Sequence, residues 1–301
     1  MRIILQFPEG LKRHASEYAK RLEKEGNEVF LVARATYGAC DLALEEAKAI
    51  GAGKIVHFGH NRYLKTSPGI EVEYVPWKID IDVSLLKGFV KMLKENGVRK
   101  IGVATTVQHI HQLNEMKKLF GKNGIRALTK KGKIAIEEGQ VLGCDASALD
   151  VDAETLVIVA DGNFHALAAF DIGKKDIYSL NPYNGKWKLL NEELLKFRKQ
   201  RKGALIAAYD AKSFGILVST KPGQFRMKIA ENAKKELEKR GRKAYLLVSN
   251  IIDNSIDNFM FIDAYVNTAC PRMVDDRESY AKPMIDISEF KVLLKMWDRK
   301  D

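Results

Sequence analysis

Cysteine is scarce in this chain, with three among 301 residues, at Cys40, Cys144 and Cys270. Three cannot all pair, which excludes the disulfide framework of a small secreted domain. No two of them form a CxxC, and the chain has no HxxxH, so the common zinc spacings are missing. No apolar run approaches the roughly 20 residues that span a bilayer. The opening MRIILQFPEG meets charge too early for a signal peptide and reads as a first β-strand. Low-complexity sequence is also absent. These absences predict a cytoplasmic protein whose thiols stay reduced, as ligands or as buried side chains.

What is present suffices for a large core, since 46% of the residues are hydrophobic. Length alone suggests two or three domains. Lys and Arg number 50 against 39 Asp and Glu, a formal charge of +11. That excess fits an acidic or nucleic-acid-associated partner, or a Lys- and Glu-rich surface of the heat-adapted kind. The basic residues are spread along segments such as ENAKKELEKRGRK rather than gathered in one arm, which favours the second reading.

The chain repeats one pattern. RIILQFPEGLKRHASEYAKRLEKEGNEVFLVA, KIGVATTVQHIHQLNEMKKLFGKNGIRALTKK and FGILVSTKPGQFRMKIAENAKKELEKRGRKAYLLV each read strand, polar loop, amphipathic helix, strand. The inward helix faces are Tyr18 and Leu22; Leu113, Met116 and Phe120; and Ile229, Ala233 and Leu237. Each helix stops at a glycine, Gly26, Gly124 or Gly241, which takes a left-handed C-cap at little cost. KIVHFG, TLVIVADG and NFMFIDAYV supply further strands. The spacing predicts an α/β fold of three similar domains built from parallel-sheet βαβ units, at 1–77, 78–184 and 185–301, with boundaries near Pro76 and Pro182. Trp77, Tyr183 and Trp187 lie near those boundaries and are expected to pack domains together.

Ligands of open parallel sheets gather outside the carboxyl ends of the strands. Cys40 and Cys144 follow the second βαβ strand of their units, each followed by an aspartate; Cys270 comes after a later strand of the third. If the units pack around a pseudo-three-fold central site with those ends inward, three thiolates converge. Such a site suits an iron–sulfur cubane with one iron left open better than a hard cation. Three buried thiols without a ligand role are the competing reading. His109 and His111 form an HxH at a helix start and are expected to be ordinary polar side chains.

LQFPEGL, YGACD, HFGH, DGNFH, STKPGQ and ACPR, in that order along nearly the whole chain, resemble the motifs of the diphthamide synthesis enzymes, and more narrowly of their archaeal homodimeric form. The resemblance implies three α/β domains that each give one cysteine, here Cys40, Cys144 and Cys270, to a single 4Fe-4S cluster. It implies S-adenosylmethionine bound at the open iron, although the CxxxCxxC loop of conventional radical enzymes is lacking. It implies transfer of a 3-amino-3-carboxypropyl radical to C2 of a histidine imidazole on translation elongation factor 2, the first step of diphthamide synthesis. The partners so implied are the elongation factor, a second copy of the chain and an unidentified electron donor, with no membrane and no direct nucleic-acid binding required. No catalytic residue beyond the cluster ligands is implied.

The candidate S-adenosylmethionine contacts come from the same motifs: His57, Gly59 and His60; Asp161, Gly162 and His165; Lys221, Gly223 and Gln224; and Arg272. STKPGQ is expected to open a helix, so that its N–H groups and Lys221 meet the substrate carboxylate. Asp161, at a strand end, suits the amine or a ribose hydroxyl. The histidines read as hydrogen-bonding walls of the cavity rather than iron ligands. Arg272 either offsets cluster charge or holds a carboxylate, or else makes a plain salt bridge. QFPEGL is either a cofactor contact or only a turn in which Pro8 and Glu9 suit a helix start. Two other classes compete with the transferase: a dehydratase resembling quinolinate synthase, also built on a three-cysteine cluster, and a non-catalytic protein that binds the translation machinery.

Overall fold

The computed structural model describes residues 1–64, 69–170, 172–173 and 175–299. The chain forms two compact units, Met1–Leu194 and Leu195–Asp301. The first carries two sheets and the second carries one.

The first sheet contains β1 (Arg2–Gln6), β2 (Glu28–Leu31), β3 (Lys54–Phe58) and β4 (Glu71–Val75), with α1 (Ala15–Lys24) and α2 (Leu44–Ile50) between strands. Its strand order is β2-β1-β3-β4, all parallel. Strand side chains alternate between faces. Ile3 and Leu5 therefore join Phe58 and the α1 side chains Tyr18 and Leu22, while Ile4 and Ile55 meet Ala43 and Ala47 on the other face. Both faces are covered, which is why IIL is a continuous apolar run.

The second sheet repeats this plan. After α3 (Lys87–Glu95) come β5 (Lys100–Thr105), α4 (Leu113–Lys122), β6 (Arg126–Leu128), β7 (Thr155–Val159), α5 (Phe164–Leu167), β8 (Asp176–Leu180) and β9 (Trp187–Leu189). The order is β6-β5-β7-β8-β9, with only β9 antiparallel. Ile101, Val103, Val157 and Val159 pack on Leu113, Met116 and Phe120 of α4 and on Phe89 of α3, as the helical spacing predicts. Each fully buried Ile, Leu or Phe contributes about 1.5–3 kcal/mol.

α6 (Asn191–Tyr209), which begins at the end of the first unit, leads into β10 (Ser213–Ser219), α7 (Met227–Glu238), β11 (Lys243–Ser249), β12 (Ala264–Asn267), β13 (Met284–Asp286) and α8 (Ile287–Asp298) of the second. The order β11-β10-β12-β13 again places the first strand between the second and third. All three sheets therefore share one arrangement, as the internal repeat predicts. Gly26, Gly124 and Gly241 all have positive φ at the expected helix ends.

Several local expectations are corrected. The buried residues of α7 are Ala230, Ala233 and Leu237, and Ile229 points outward at 39% exposed. NFMFIDAYV is a strand only from Ala264; Phe259, Met260 and Phe261 form an exposed turn before it. STKPGQ does not open α7, whose N-cap is Arg226; the segment closes as a turn, with the Gln224 N–H donating to the Lys221 carbonyl at 2.9 Å. Proline inside the segment and the two residues that follow it delay the helix. Of the aromatics expected to pack domains together, Trp77 packs beside Tyr18 and His14 and Tyr183 reaches His109, each within one expected domain, while Trp187 lies against Phe89, across the boundary expected after residue 184.

Candidate functional site

With the order 2-1-3-4, the direction of winding reverses between the first and third strands of each sheet, and a crevice opens at their carboxyl ends. In the first sheet those ends are Gln6 and His57, which face each other in register. Both are fully buried. Gln6 Nε2 donates to the Asp41 carbonyl at 2.6 Å, and Gln6 Oε1 accepts from the Ala43 N–H at 3.1 Å. One strand-end amide thus fastens the loop that follows Cys40. Asp41, also fully buried, pairs with Arg34 at 2.8 Å, and Arg34 holds Glu46 as well. His57 Nδ1 lies 3.0 Å from Gln6 Oε1, and its Nε2 lies 3.0 Å from His60 Nδ1. Burial, reinforced by His60, lowers the His57 pKa to about 3. Burial lowers His60 to about 4, against the opposing pull of the Phe58 carbonyl and Asp41. Gly59 between them has φ +81, and a Cβ there would come within 2.9 Å of Pro8 Cγ.

Cys144 sits in a tight turn in which Leu142 and Asp145 exchange main-chain hydrogen bonds of 2.8 and 3.1 Å. The Asp145 carboxylate accepts from the N–H groups of Ile134 at 2.7 Å and Ser147 at 3.0 Å and from the Ser147 hydroxyl. Burial alone would raise its pKa, but these donors hold it below the usual carboxylate range. Phe164 lies over Gly143, so closely that a Cβ there would stand 2.2 Å from its ring. Asp161 is exposed and accepts from Asn181 at 2.8 Å; the Gly162 carbonyl accepts from Ser179 at 3.0 Å; His165 packs edge-on to Phe164. Asn61, next to His60, donates to Glu137 at 2.8 Å and to Gln140 at 3.2 Å, and Gln108 donates to the Gly59 carbonyl at 2.9 Å. The strand-end loops of the first two sheets therefore meet.

In the second unit, Cys270 caps a short 3-10 helix, Pro271–Asp275. Asn267, buried at the end of β12, donates to the Cys270 carbonyl at 2.7 Å and accepts from the Ala269 N–H at 2.9 Å. Arg272 pairs with Asp275 at 2.6 Å. Burial raises the Asp275 pKa to about 6 despite that arginine and Arg201. Lys221 and Gln224 are buried in one turn with the half-buried Gly223 between them, and the Lys221 Nζ reaches Asn250 Oδ1 at 3.4 Å.

His109 and His111 do not share a site. His109 Nδ1 donates to the Ile79 carbonyl, and His111 faces Asp80 at 2.8 Å. Gln6, Arg34, Asn267 and Phe164 were not singled out from sequence. The available signal was a polar residue closing an apolar strand, as in RIILQ and AYVN.

All three thiols are partly exposed, and a buried Asp or Asn side chain anchors each loop. That donor set fits an iron–sulfur cluster, since soft sulfur ligands on fixed loops favour such a group over a hard cation. Within neither unit do three or more His, Cys, Asp or Glu side chains stand together as a metal site, among the described residues. Cys40 and Cys144 belong to the first unit and Cys270 to the second. Among the described residues, no helix is long and apolar enough to cross a membrane.

A family model for diphthamide synthesis proteins matches residues 7–301. The 2-(3-amino-3-carboxypropyl)histidine synthase of Pyrococcus horikoshii is 38% identical over 297 residues, covering 97% of this chain and 85% of its own length. The synthase of the same name from Methanocaldococcus jannaschii is 29% identical, with 98% and 84% covered. Subunit 1 of the synthase from Caenorhabditis elegans is 32% identical, with 97% and 75% covered. The crystal structure of Dph2 from Pyrococcus horikoshii with a 4Fe-4S cluster superposes with a TM-score of 0.88 at 37% identity, covering 98% of this chain and 86% of that one. On the match of its sequence over nearly its full length and of its fold, this chain belongs to the diphthamide synthesis protein family.

Proposed function

We propose that this protein is a 2-(3-amino-3-carboxypropyl)histidine synthase. It transfers the 3-amino-3-carboxypropyl group of S-adenosylmethionine, as a radical, to C2 of a histidine imidazole on translation elongation factor 2. The observation that carries this reading is the recurrence of one anchored cysteine loop on the strand-carboxyl side of each of three sheets of one topology. The synthases named above and the structure of Dph2 with a 4Fe-4S cluster support it.

In this reading Cys40, Cys144 and Cys270 hold one 4Fe-4S cluster, with one α/β domain per sheet, near 1–77, 78–184 and 185–301, around a pseudo-three-fold axis. When bound, such a cluster supplies a reducing electron and an open iron for a sulfonium. The chain's own residues bind and orient. Which carbon–sulfur bond breaks depends on which carbon is presented, so fixed contacts to the amino-acid part set the outcome. His57, Gly59, His60, Asp161, Gly162, His165, Lys221, Gly223, Gln224 and Arg272 are the candidates for those contacts. The buried turn around Lys221 suits the substrate carboxylate. Arg272 is already paired with Asp275, so its first role is to hold the Cys270 loop. The protein works in the cytoplasm as a homodimer with a separate electron donor.

The test is an anaerobic assay with elongation factor 2, labelled S-adenosylmethionine and a chemical reductant in place of the electron donor. Label is expected on one histidine of the factor with wild-type enzyme, and none with Cys144→Ala. Iron-loaded, chemically reduced wild-type protein that releases no methylthioadenosine would overturn the proposal.

A further inference from the structure

Gln6 determines more than the path of a loop. A glutamine amide has one accepting end and one donating end, and partners of fixed sign decide which is which. Here both partners are main-chain groups: Nε2 faces the Asp41 carbonyl, and Oε1 faces the Ala43 N–H. Turning the amide over would set donor against donor and acceptor against acceptor. Oε1 is therefore an acceptor towards His57 Nδ1, which must carry the proton of the 3.0 Å bond. A neutral imidazole has one N–H, so His57 Nε2 is a bare lone pair. That lone pair faces His60 Nδ1 at 3.0 Å, which makes Nδ1 the proton-bearing nitrogen of His60 as well. The Phe58 carbonyl also takes a hydrogen bond from the ring, and since a carbonyl cannot bond a bare nitrogen it shares the Nδ1–H; by the same count His60 Nε2 is a lone pair. His60 is partly exposed, so this acceptor is open to a ligand.

The surroundings keep both rings neutral and favour a cationic donor. Asp41 is the acidic group near His60, Arg34 is paired with that carboxylate, and the Tyr74 ring lies 5.7 Å from His57. Burial raises the Tyr74 pKa, so it brings no charge at neutral pH. With a pKa of about 4, His60 is too weak a base to remove a proton from carbon near neutrality; its capacity is to accept a hydrogen bond. A carboxylate or phosphate would oppose lone pair to lone pair. An ammonium N–H fits the lone pair and is favoured by the aspartate.

We propose that Gln6 is a positioning residue that, through His57, fixes His60 as a hydrogen-bond acceptor, and that His60 Nε2 receives the α-ammonium group of an amino-acid substrate. That substrate is the methionine part of S-adenosylmethionine if the transferase reading holds; the hydrogen-bond chain itself does not depend on that reading.

Long-range 15N–1H NMR of histidine-labelled protein, kept anaerobic and assigned with His57→Gln and His60→Gln, reads the tautomers directly. At pH 7 both rings are expected to be neutral and protonated on Nδ1, the minor form of free histidine. In Gln6→Glu, the new carboxylate stabilises an imidazolium at His57, whose Nε2–H then faces His60 Nδ1, and His60 switches to the Nε2–H form. A wild-type His60 that is protonated on Nε2 at pH 7 overturns the chain, whatever the variants do. Calorimetry on iron-loaded protein compares S-adenosylmethionine with its analogue bearing hydrogen in place of the amino group. Wild type is expected to favour the amino form at least about tenfold, as a charge-assisted hydrogen bond implies. His60→Gln keeps the preference, while His60→Leu and Gln6→Glu lose it. Equal binding of the two ligands by wild type overturns the ammonium subsite alone. No binding of either overturns the subsite together with the transferase reading, while the spectrum still decides the tautomers.

Discussion

His57 and His60 stay neutral down to about pH 3 and 4 in the folded chain, whereas an exposed imidazole takes its proton near 6.5. Between those values the unfolded chain binds more protons than the folded one. Their contribution to stability is therefore complete above about pH 6.5 and falls as the pH drops, by up to about 1.4 kcal/mol per histidine for each pH unit. Asp275 has the opposite sign. Its pKa is raised from 3.8 to about 6, so its contribution is full below the lower value and is lost as the pH rises through the upper one. Two histidines outweigh one aspartate, and the net expectation is acid sensitivity. The urea midpoint should fall between pH 7 and pH 5, and the fall should be shallower in His57→Gln. A midpoint that is level or rises over that interval would contradict the neutral pair. HFGH placed both histidines at a strand end, and they lie in and just past the carboxyl end of β3. The part played by Gln6 was not legible, because a glutamine closing an apolar strand reads as a residue turning to solvent until the Cys40 loop is seen to cover it.

Elements were most legible where one face is apolar and a glycine ends the helix. α4 buries Leu113, Met116 and Phe120, and α1 packs Tyr18 and Leu22, half-buried, against the first core, as their spacing predicts. The failures have local causes. In α7 small alanines do the packing, so hydrophobicity alone chose Ile229, which is exposed. In NFMFIDAYV, aromatic residues of high strand propensity occupy a turn held by the Lys282 ammonium on the Phe259 carbonyl at 2.8 Å. The Cys144 turn depends on a contact that no local pattern discloses, the Phe164 ring against Gly143. Gly143→Ala should destabilise the protein by about 1–3 kcal/mol, the usual cost of overpacking. Adding Phe164→Ala should recover part of that loss, since it removes the atom that the new methyl strikes. Chemical denaturation of the single and double variants checks this; additive losses would mean that the ring does not brace the turn.

At the scale of the molecule, one strand order occurs three times, and the repeat was visible because each copy begins with an apolar strand, a polar loop and an amphipathic helix. The grouping into two compact units was not visible, because turn-rich stretches alone do not say which cores join. Each unit has its own core, around Phe89 and Phe120 in the first and Phe214 and Leu293 in the second. A ligand that binds only the folded state raises stability by mass action, and more so the tighter it binds. If the cluster draws Cys40 and Cys144 from one unit and Cys270 from the other, its binding free energy is shared by both. Anaerobic calorimetry of metal-free protein should then show Leu293→Ala lowering the transition of the second unit, with a cost of about 2–5 kcal/mol. Iron–sulfur reconstitution should raise the melting of both units in wild type, and Cys270→Ala should abolish the rise in both. A rise in the first unit that survives loss of Cys270 would show that this thiol is not among the ligands, and the three-cysteine assignment would fail with it.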